Sequence, residues 1–431
     1  MTKIKQLRVL TPQGAAGQLS HESRYVFNYT TTQRECETSL LMPLRAESYA
    51  SGGMPGPFTM NQPEGYLKEK ILQRLAKFGG LNAMQMLAFT GQNQIGRLRF
   101  ELPDAAPVTR KTQIGRAELL EQSNSAELFA FLLDAYLESG ISGVQPKVML
   151  PDADQFPDQP NSTTNALAPA RLSDGPIDRI TVPHSDLIVK ASGEDFPALA
   201  VNEFLCMCAA QKAGIQVPEF WLSDDGELFV MSRFDLQDGQ QIGFEDMAVL
   251  MNKTGTSDQK YQGSYEALAK AIMVFCRDDA RATSLQRLFE YVAFSVMVRN
   301  GDAHLKNFGL LYPHPAAEIG PTLAPMYDVV TTSVYDLPGA SGRTMVDRTM
   351  ALKMNRRRDY PTRKELLEFG KLCGVAKPEL ILERFGDAMQ ASLDEHGARA
   401  EPAFLARMKR EWDAGRLSLE ASRFVGRVSG H

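Results

Sequence analysis

The chain has 431 residues, of which 43% are hydrophobic and 23% are charged, which is typical of a globular protein with two or three domains or lobes. A net charge of −5 and a pI near 5.8 argue against a protein that binds nucleic acid by itself. Five scattered cysteines without a C-x-x-C pair indicate neither a disulfide framework nor a zinc site.

The N-terminal stretch MTKIKQLRVLTPQG has no uninterrupted apolar core and does not resemble a signal peptide. No apolar run approaches the ~20 residues of a membrane helix. We therefore expect a cytoplasmic protein without a membrane partner.

Residues 1–105 indicate a small α+β unit. The runs RYVFNY and IGRLRFEL have the character of strands. GYLKEKILQRLAKFG and GGLNAMQMLAFTG have the periodicity of amphipathic helices.

Residues 106–245 indicate a sheet-rich lobe. The helix pattern SAELFAFLLDAYLE leads into the glycine-rich SGISGVQPKVML. The stretch 151–184 contains six prolines and five aspartates and predicts a long exposed loop. SDLIVKAS predicts a strand that ends on Lys190, and FPALAVNEFLCMCAAQKAG predicts a helix terminated by Gly214. A hairpin in WLSDDGELFV completes this lobe.

Residues 246–431 indicate a helical lobe. In LQRLFEYVAFSVMVRN, apolar residues recur at i, i+3, i+4, i+7, i+8 and i+11, which predicts a buried helix that Asn300 and Gly301 end. The stretch NGDAHLKNFGLLY then places an acid, a histidine, a lysine and two amides before the next apolar run. Packing alone has little use for so many polar groups, so this stretch indicates a site.

Asp302 and Asn307 have the D-x-x-x-x-N spacing of the catalytic loop of protein-kinase-type phosphotransferases. There the aspartate faces the attacking hydroxyl, and the asparagine faces a Mg²⁺ ion on the nucleotide phosphates. Asp328, in PMYDVVT, lies where a second metal ligand is expected. Lys190 and Glu203 lie where a phosphate-binding lysine and its helical partner are expected. This order predicts an α/β (α+β) class, a two-lobed protein-kinase-like fold with an appended N-terminal α+β subdomain and a helical C-terminal lobe.

Each of these residues also has an ordinary structural interpretation. Asp302 and Asp328 could be turn or cap residues, Lys190 an edge lysine, and Glu203 a surface helix residue. His304, two residues after Asp302, could be a hydrogen-bonded loop histidine. It replaces the usual lysine of protein kinases and resembles the loop of aminoglycoside and choline kinases, and either residue type could contact a phosphate. The spacing alone is a weak signal, whereas five such residues in the right order favour one site.

Several longer stretches match one known family. They are ISGVQPKVML, SDLIVKAS, SRFD, NGDAHLKNFGLLY, PMYDVV and, nearer the N-terminus, LMPLRAESY, PEGYLKEKI and GQNQIGRLRFELP. With these motifs nearly the whole chain resembles the HipA-type serine/threonine kinases, which are toxins of type II toxin–antitoxin pairs. The resemblance implies that Asp302 is catalytic, that Asn307 and Asp328 hold Mg²⁺, that Lys190 contacts the ATP phosphates and that Phe234 lines the adenine pocket.

The same resemblance identifies ISGVQPK as the glycine-rich loop of the family. It implies that Ser142, Gly143, Gln145 and Lys147 lie at the ATP site and that the loop carries an autophosphorylation site. The usual phosphoserine position is Gly140 in this chain, and Ser142 is the available hydroxyl. An ordinary loop hydroxyl is the structural alternative.

The resemblance further implies a protein serine/threonine kinase that uses ATP and Mg²⁺, phosphorylates a translation-related protein such as an aminoacyl-tRNA ligase, and arrests growth. It also implies a small HipB-like helix-turn-helix antitoxin, with DNA contacted only indirectly through that complex. Two alternatives stay open: a small-molecule kinase of the aminoglycoside type, and an inactive corepressor partner of a DNA-binding antitoxin. The basic run KMNRRR, Lys353 to Arg358, predicts a solvated basic face, with DNA contact in such a complex as its alternative.

Overall fold

The computed structural model describes residues 4–76, 81–103, 114–121, 125–137, 139–143, 145–152, 186–193, 195–338 and 344–420. The long exposed loop predicted at 151–184 lies outside the described residues, except for its first two positions.

The N-terminal part is an antiparallel sheet covered by short helices. Its elements are β1 (Gln6–Thr11), β2 (Gly14–His21), β3 (Tyr25–Tyr29), β4 (Tyr49–Ser51), α1 (Gly56–Thr59), α2 (Gly65–Arg74), α3 (Ala83–Thr90), β5 (Asn93–Gln94) and β6 (Arg99–Glu101). The sheet has the order β4-β3-β2-β1-β6. Leu7 and Val9 alternate with exposed Arg8 on β1, so one face of the sheet is buried against Leu87 of α3.

The middle part is a four-stranded antiparallel sheet with one long helix. Its elements are α4 (Arg116–Leu120), α5 (Ser125–Ala135), β7 (Ser139–Gly140), β8 (Lys147–Leu150), β9 (Leu187–Ala191), α6 (Leu199–Lys212), β10 (Phe220–Leu222), β11 (Leu228–Ser232), β12 (Leu236–Gln237), β13 (Gln240–Gln241) and β14 (Gly243–Asp246). The sheet has the order β10-β11-β9-β8, and β10 and β11 form the predicted hairpin. Gly214 follows α6 with a left-handed φ of 73°, as expected of a helix terminator.

The C-terminal part is mainly helical. Its elements are α7 (Met247–Leu250), α8 (Tyr265–Phe275), α9 (Asp278–Met297), β15 (Gly309–Tyr312), β16 (Thr322–Leu323), β17 (Leu337–Pro338), β18 (Thr344–Met345), β19 (Thr349–Met354), β20 (Arg357–Asp359), α10 (Arg363–Leu372), α11 (Pro378–His396) and α12 (Pro402–Glu420). Helix α9 is the predicted buried helix, and α8, α10, α11 and α12 pack around it. It ends at Met297, and Arg299 then turns the chain with a left-handed φ of 56°.

Helix α6 explains how the lobes pack. It lies between β9 and β11 on one side and α11 of the helical lobe on the other, so it is buried around most of its circumference. A sheet-rich lobe followed by a helical lobe, behind an N-terminal α+β subdomain, confirms the predicted fold class. The domain boundaries at residues 105 and 245 stay predictions. Within the described part of the chain, no helix has both the length and the apolar character that crossing a membrane requires.

The N-terminal subdomain is fastened to the rest of the chain by a buried carboxylate. Glu245 accepts hydrogen bonds from Ser39 Oγ at 2.7 Å, from the Leu40 backbone N–H at 2.7 Å and from the Tyr312 hydroxyl. Burial raises the pKa of Glu245, although these hydrogen bonds oppose the shift. The subdomain therefore docks through polar groups that satisfy one another rather than through apolar contact alone.

We expect Gly415→Ala to destabilise the fold. A Cβ atom at Gly415 would lie 2.0 Å from the Met297 carbonyl oxygen, so α12 would have to move away from α9, at a cost of about 1–3 kcal/mol. Gly386→Ala is the matched control, because a Cβ there meets only Arg416 Cδ at 3.8 Å and alanine favours a helix by about 1 kcal/mol over glycine. Thermal unfolding should show a lower midpoint for the first variant and an equal or higher one for the second. Equal midpoints for both would contradict the close packing at Gly415.

Candidate active site

A buried lysine between two carboxylates forms the centre of the candidate site. Lys190 lies on β9 and Glu203 on α6. The Lys190 Nζ atom is 2.6 Å from Glu203 Oε1 and 2.8 Å from Asp328 Oδ1. The predicted ion pair of Lys190 and Glu203 is therefore confirmed. Burial opposes the charge on this lysine, but Asp328 and Glu203 outweigh it and raise the pKa of Lys190.

Asp328 links the lysine to the loop that follows α9. Its other oxygen, Oδ2, accepts a hydrogen bond from Asn307 Nδ2 at 3.1 Å. Burial would raise the pKa of Asp328, but Lys190 and Lys147 outweigh it and hold this pKa far below its usual range. The carboxylate is therefore ionised at physiological pH. Its backbone has a left-handed φ of 59°, a conformation that costs energy for a residue other than glycine.

The donor set fits a Mg²⁺ ion shared with nucleotide phosphates rather than one held by protein alone. Among the described residues, no three His, Cys, Asp or Glu side chains are grouped so that they could hold a metal. Asp328 supplies a carboxylate, and Asn307 supplies an amide. The amide nitrogen faces Asp328 and the amide oxygen accepts a hydrogen bond from the His304 backbone N–H at 3.1 Å, so this side chain would rotate to give its oxygen to the same ion. Mg²⁺ at nucleotide sites commonly takes one or two carboxylates together with water and phosphate oxygens.

Asp302 lies in the same loop but bonds to a different partner. Its Oδ1 atom accepts a hydrogen bond from the Tyr261 hydroxyl at 3.0 Å. Asp302 is exposed to solvent on one side, yet desolvation by the groups packed around its carboxyl raises its pKa to about 6. The charge of Asp328 adds to this shift, while the Tyr261 hydrogen bond opposes it. A carboxyl group with a pKa near the working pH suits the acceptance and release of a proton.

His304 is buried next to Asp302. Burial and the positive charge of Lys260 lower the pKa of His304 to about 3, so the imidazole is neutral at physiological pH. Its Nδ1 atom is buried and has no hydrogen-bond partner among the described residues. The imidazole and the Tyr261 ring are arranged edge to face, with 5.2 Å between ring centroids and 76° between the planes. Any contact of His304 with a phosphate would therefore be a hydrogen bond without a charge.

The glycine-rich loop lies between β7 and β8, beside the central lysine. Lys147 on β8 pairs in register with Lys190 on β9. Gly143 has a φ of 133°, a backbone conformation that favours glycine, and a Cβ atom there would lie 2.4 Å from Lys147 Nζ. Gln145 Nε2 donates to the Ala191 carbonyl oxygen at 3.3 Å. Burial lowers the pKa of Lys147, although Asp328 opposes the shift.

Ser142 belongs to a cluster that the sequence did not predict. Lys306 Nζ lies 2.6 Å from Ser142 Oγ and 3.2 Å from Glu64 Oε1 of the N-terminal subdomain. Lys260 Nζ lies 3.5 Å from the other oxygen of Glu64. Burial would raise the pKa of Glu64, but Lys306 and Lys260 lower it. Both Glu64 and Lys306 occur in the family-like motifs, which is the one signal that pointed to them.

Phe234 lies at the edge of the site on an aromatic wall. Its ring stacks on Tyr327, with centroids 4.8 Å apart and an angle of 17° between the planes. The Tyr327 hydroxyl donates to the Lys306 carbonyl oxygen at 2.7 Å. Tyr327, the residue before Asp328, therefore connects the stacked pair of Phe234 and Tyr327 to the loop that carries Asp302.

Two family sequence models match the chain. The HipA N-terminal domain matches residues 7–101, and the HipA-like C-terminal domain matches residues 139–395. A Haemophilus influenzae protein named "Putative kinase" is 29% identical over 275 residues, which cover 58% of this chain and 71% of that protein. The Sinorhizobium fredii protein "Putative kinase Y4dM" is 29% identical over 163 residues, which cover 34% of this chain and 38% of the relative.

A solved structure has the same fold over nearly the full length. It is the HipA chain of a Shewanella oneidensis MR-1 complex of HipA, HipB and operator DNA, with a TM-score of 0.65 and 20% identity, covering 96% of this chain and 97% of that one. The C-terminal family model alone spans more than half of the present chain, and the N-terminal model covers most of what precedes it. The chain therefore belongs to the HipA family.

Proposed function

We propose that this protein is an ATP- and Mg²⁺-dependent protein serine/threonine kinase and the toxin of a toxin–antitoxin pair. The observation that carries the proposal is the chain of contacts from Glu203 through Lys190 and Asp328 to Asn307. The contacts hold the positive charge of Lys190 beside the oxygen-bearing side chains of Asp328 and Asn307. This arrangement is suited to nucleotide phosphates with a bound metal ion. The relatives named as kinases support phosphoryl transfer.

The proposed partners follow from the family. The Shewanella HipA chain is in a complex with HipB and operator DNA, which supports a HipB-like helix-turn-helix antitoxin for this chain. DNA would then be reached only through that antitoxin. The proposed substrate is a translation-related protein in the cytoplasm, such as an aminoacyl-tRNA ligase, whose phosphorylation arrests growth.

Different residues of the site would contact different parts of ATP. Lys190, kept charged by Glu203, points its ammonium group at the phosphates, and Lys147 with the backbone around Gly143 and Gln145 covers them. Phe234 offers a face on which the adenine can stack. Asp328 and Asn307 would hold Mg²⁺, which when bound neutralises the charge that develops on the phosphate oxygens.

Asp302 would act in the transfer step. Its carboxylate orients the substrate hydroxyl, whose oxygen forms a bond to the γ-phosphorus as the bond from that phosphorus to the bridging oxygen of ADP breaks. The hydroxyl proton passes to Asp302 late in a loose transition state. His304 would contribute at most one neutral N–H to a phosphate oxygen.

Incubation of the purified protein with labelled ATP and a cell lysate tests the proposal as a whole. We expect phosphate on serine or threonine of the protein itself or of a lysate protein, found by mass spectrometry. Phosphate on a small metabolite alone would favour the aminoglycoside-type kinase. No transfer to any acceptor would favour the corepressor.

We expect Asp328→Asn to weaken Mg·ATP binding by roughly tenfold or more, because it removes a full charge from the proposed metal site. Lys190 keeps Glu203 as a partner, so the variant should still fold. Asp387→Asn, at an exposed position of α11, makes the same chemical change outside the proposed site. Titration calorimetry measures both variants, and an unchanged affinity in Asp328→Asn would remove Asp328 from the metal site.

We expect Asp302→Asn to lower the transfer rate by about 10²–10⁴-fold, because positioned acid–base groups typically contribute that much. Mg·ATP affinity should survive, since Asp302 bonds Tyr261 rather than Lys190 or Asp328. Growth inhibition on expression without an antitoxin should disappear with the carboxylate. Colony counts compare the variant with wild type and Asp387→Asn, and equal toxicity of all three would exclude a catalytic role for Asp302.

The pH profile separates this role from a structural one. The ionised carboxylate of Asp302 is the active form, so kcat/KM should rise as the pH increases through about 6. This rise is the acidic limb of the pH profile. The Tyr261 hydrogen bond lowers the pKa of Asp302, so Tyr261→Phe should move this limb to higher pH. An unshifted limb in Tyr261→Phe would show that another group titrates.

We expect Ser142 to be the phosphorylated residue of the glycine-rich loop. Its hydroxyl bonds Lys306 within the site, and Gly140 has no hydroxyl. A phosphate of about −1.5 to −2 charge would lie beside the Glu64 carboxylate and would oppose the ATP phosphates, so Ser142→Asp should have low activity. Intact-mass analysis and peptide mapping after exposure to ATP compare wild type with Ser142→Ala. Loop phosphate that persists in Ser142→Ala, or no phosphate in wild type, would contradict the assignment.

A further inference from the structure

The basic run predicted as a solvated face forms a hairpin beside the candidate site. We call residues 349–359 the arginine hairpin, which consists of β19, β20 and their two-residue turn. The turn residues Asn355 and Arg356 have left-handed φ angles of 50° and 67°. Glycine is the residue usually favoured at the second of these positions, so the chain carries an arginine at the tip at some conformational cost.

Two contacts hold the arginine hairpin against the loop of Asp302. Arg358 Nη2 donates to the Tyr261 carbonyl oxygen at 2.8 Å, and the hydroxyl of the same tyrosine donates to Asp302 Oδ1 at 3.0 Å. At the base of the hairpin, the Thr349 carbonyl oxygen would lie 2.6 Å from a Cβ atom at Gly301. The hairpin therefore borders the position that an incoming hydroxyl has to reach.

The arginine hairpin presents cationic side chains that form no ion pair with the described residues. One carboxylate, Glu266 of α8, contacts the turn through its backbone, where it accepts a hydrogen bond from the Asn355 N–H at 2.8 Å. Lys353, Arg356 and Arg358 are exposed, and no carboxylate among the described residues lies within ion-pair distance of them. Arg357 differs, because it pairs with Glu365 of α10. The side chains of Lys353 and Arg356 therefore remain available on the hairpin, and Arg358 adds its positive charge while it is bonded to Tyr261.

We propose that the arginine hairpin docks an acidic segment of the protein substrate, a few residues from the serine or threonine that is phosphorylated. This inference rests on the proposed function. An extended chain advances about 3.3–3.6 Å per residue, so a polypeptide whose hydroxyl meets Asp302 passes the hairpin within a few positions. Guanidinium groups bind carboxylates through paired hydrogen bonds, which suits Glu or Asp side chains in such a segment.

An acidic polypeptide fits this surface better than a nucleic acid does. The exposed carboxylate of Asp359 interrupts the positive surface at the end of the hairpin, and the chain as a whole carries a net charge of −5. Binding to a phosphate backbone generally uses a wide basic face that makes many contacts. Three cations on one hairpin match a short run of carboxylates.

Peptides that differ only in charge test the proposal. A serine peptide with Glu on both sides of the serine is compared with the same peptide carrying Gln or Lys, by phosphoryl transfer and by fluorescence anisotropy. We expect wild type to prefer the Glu peptide over the Gln peptide by roughly three- to tenfold, because each exposed ion pair contributes little and two or three act together. Lys353→Ala with Arg356→Ala should bring that preference close to one.

The controls separate charge at this place from charge in general and from misfolding. Lys409→Ala with Arg410→Ala removes one lysine and one arginine from exposed positions of α12 and should leave the preference intact. Arg356→Gly should lower the preference while the thermal midpoint stays equal or rises, because glycine adopts a left-handed φ at less cost. Arg358 is left unchanged because it also holds Tyr261.

Each outcome decides a different point. Equal binding and transfer for the three peptides overturn the inference, and so does a preference that the Lys353 and Arg356 changes leave intact. A single-stranded oligonucleotide could instead displace the Glu peptide and lose more affinity than that peptide does when Arg356 is changed. That result would overturn the inference in favour of nucleic-acid binding by the hairpin. If the protein binds no Mg·ATP and phosphorylates none of the peptides, the proposed function is refuted. Fluorescence anisotropy with the Glu peptide would still show whether the arginine hairpin binds acidic segments.

Discussion

The positive charge of Lys190 constrains the packing of both lobes. Its ammonium group is buried between Glu203 of α6 and Asp328, and loss of one partner of a buried pair typically costs about 3–5 kcal/mol. Asn202, the helix neighbour of Glu203, donates to the Thr331 carbonyl oxygen at 3.0 Å and accepts from its N–H at 2.8 Å. One turn of α6 therefore holds both the lysine and the chain that follows Asp328.

The N-terminal subdomain contributes to the candidate site as well as to the fold. Its Glu64 carboxylate lies between the ammonium groups of Lys306 and Lys260, and Lys306 also reaches Ser142 of the glycine-rich loop. Glu245 holds the same subdomain through a separate set of buried hydrogen bonds. A displacement of this subdomain would remove the carboxylate that pairs with both lysines, so its docking and the charge of the site are coupled.

Local patterns predicted the elements more completely than the contacts between them. Periodicity located α6 and α9, and the order of a strand lysine and a helix glutamate predicted a pair that the structure contains, because Lys190 and Glu203 lie on consecutive elements. Lys306 and Glu64 are separated by 242 residues, and no local spacing can connect them. Tyr261 was missed for the same reason, since its link to Asp302 spans 41 residues. The roles of the site residues stay predictions.

The surroundings of the two aspartates of the site shift their pKa values in opposite directions. Lys190 and Lys147 outweigh burial at Asp328 and hold its pKa far below the usual range. At Asp302, desolvation by the neighbouring groups prevails and raises the pKa to about 6. A permanently ionised carboxylate is suited to a cation and poorly suited to exchanging a proton, and the reverse holds for a carboxyl that titrates near neutrality. The negative charge of Asp328 also contributes to the raised pKa of Asp302. A cation bound at Asp328 would offset that contribution, so Asp302 would become a stronger acid once the proposed metal site is filled.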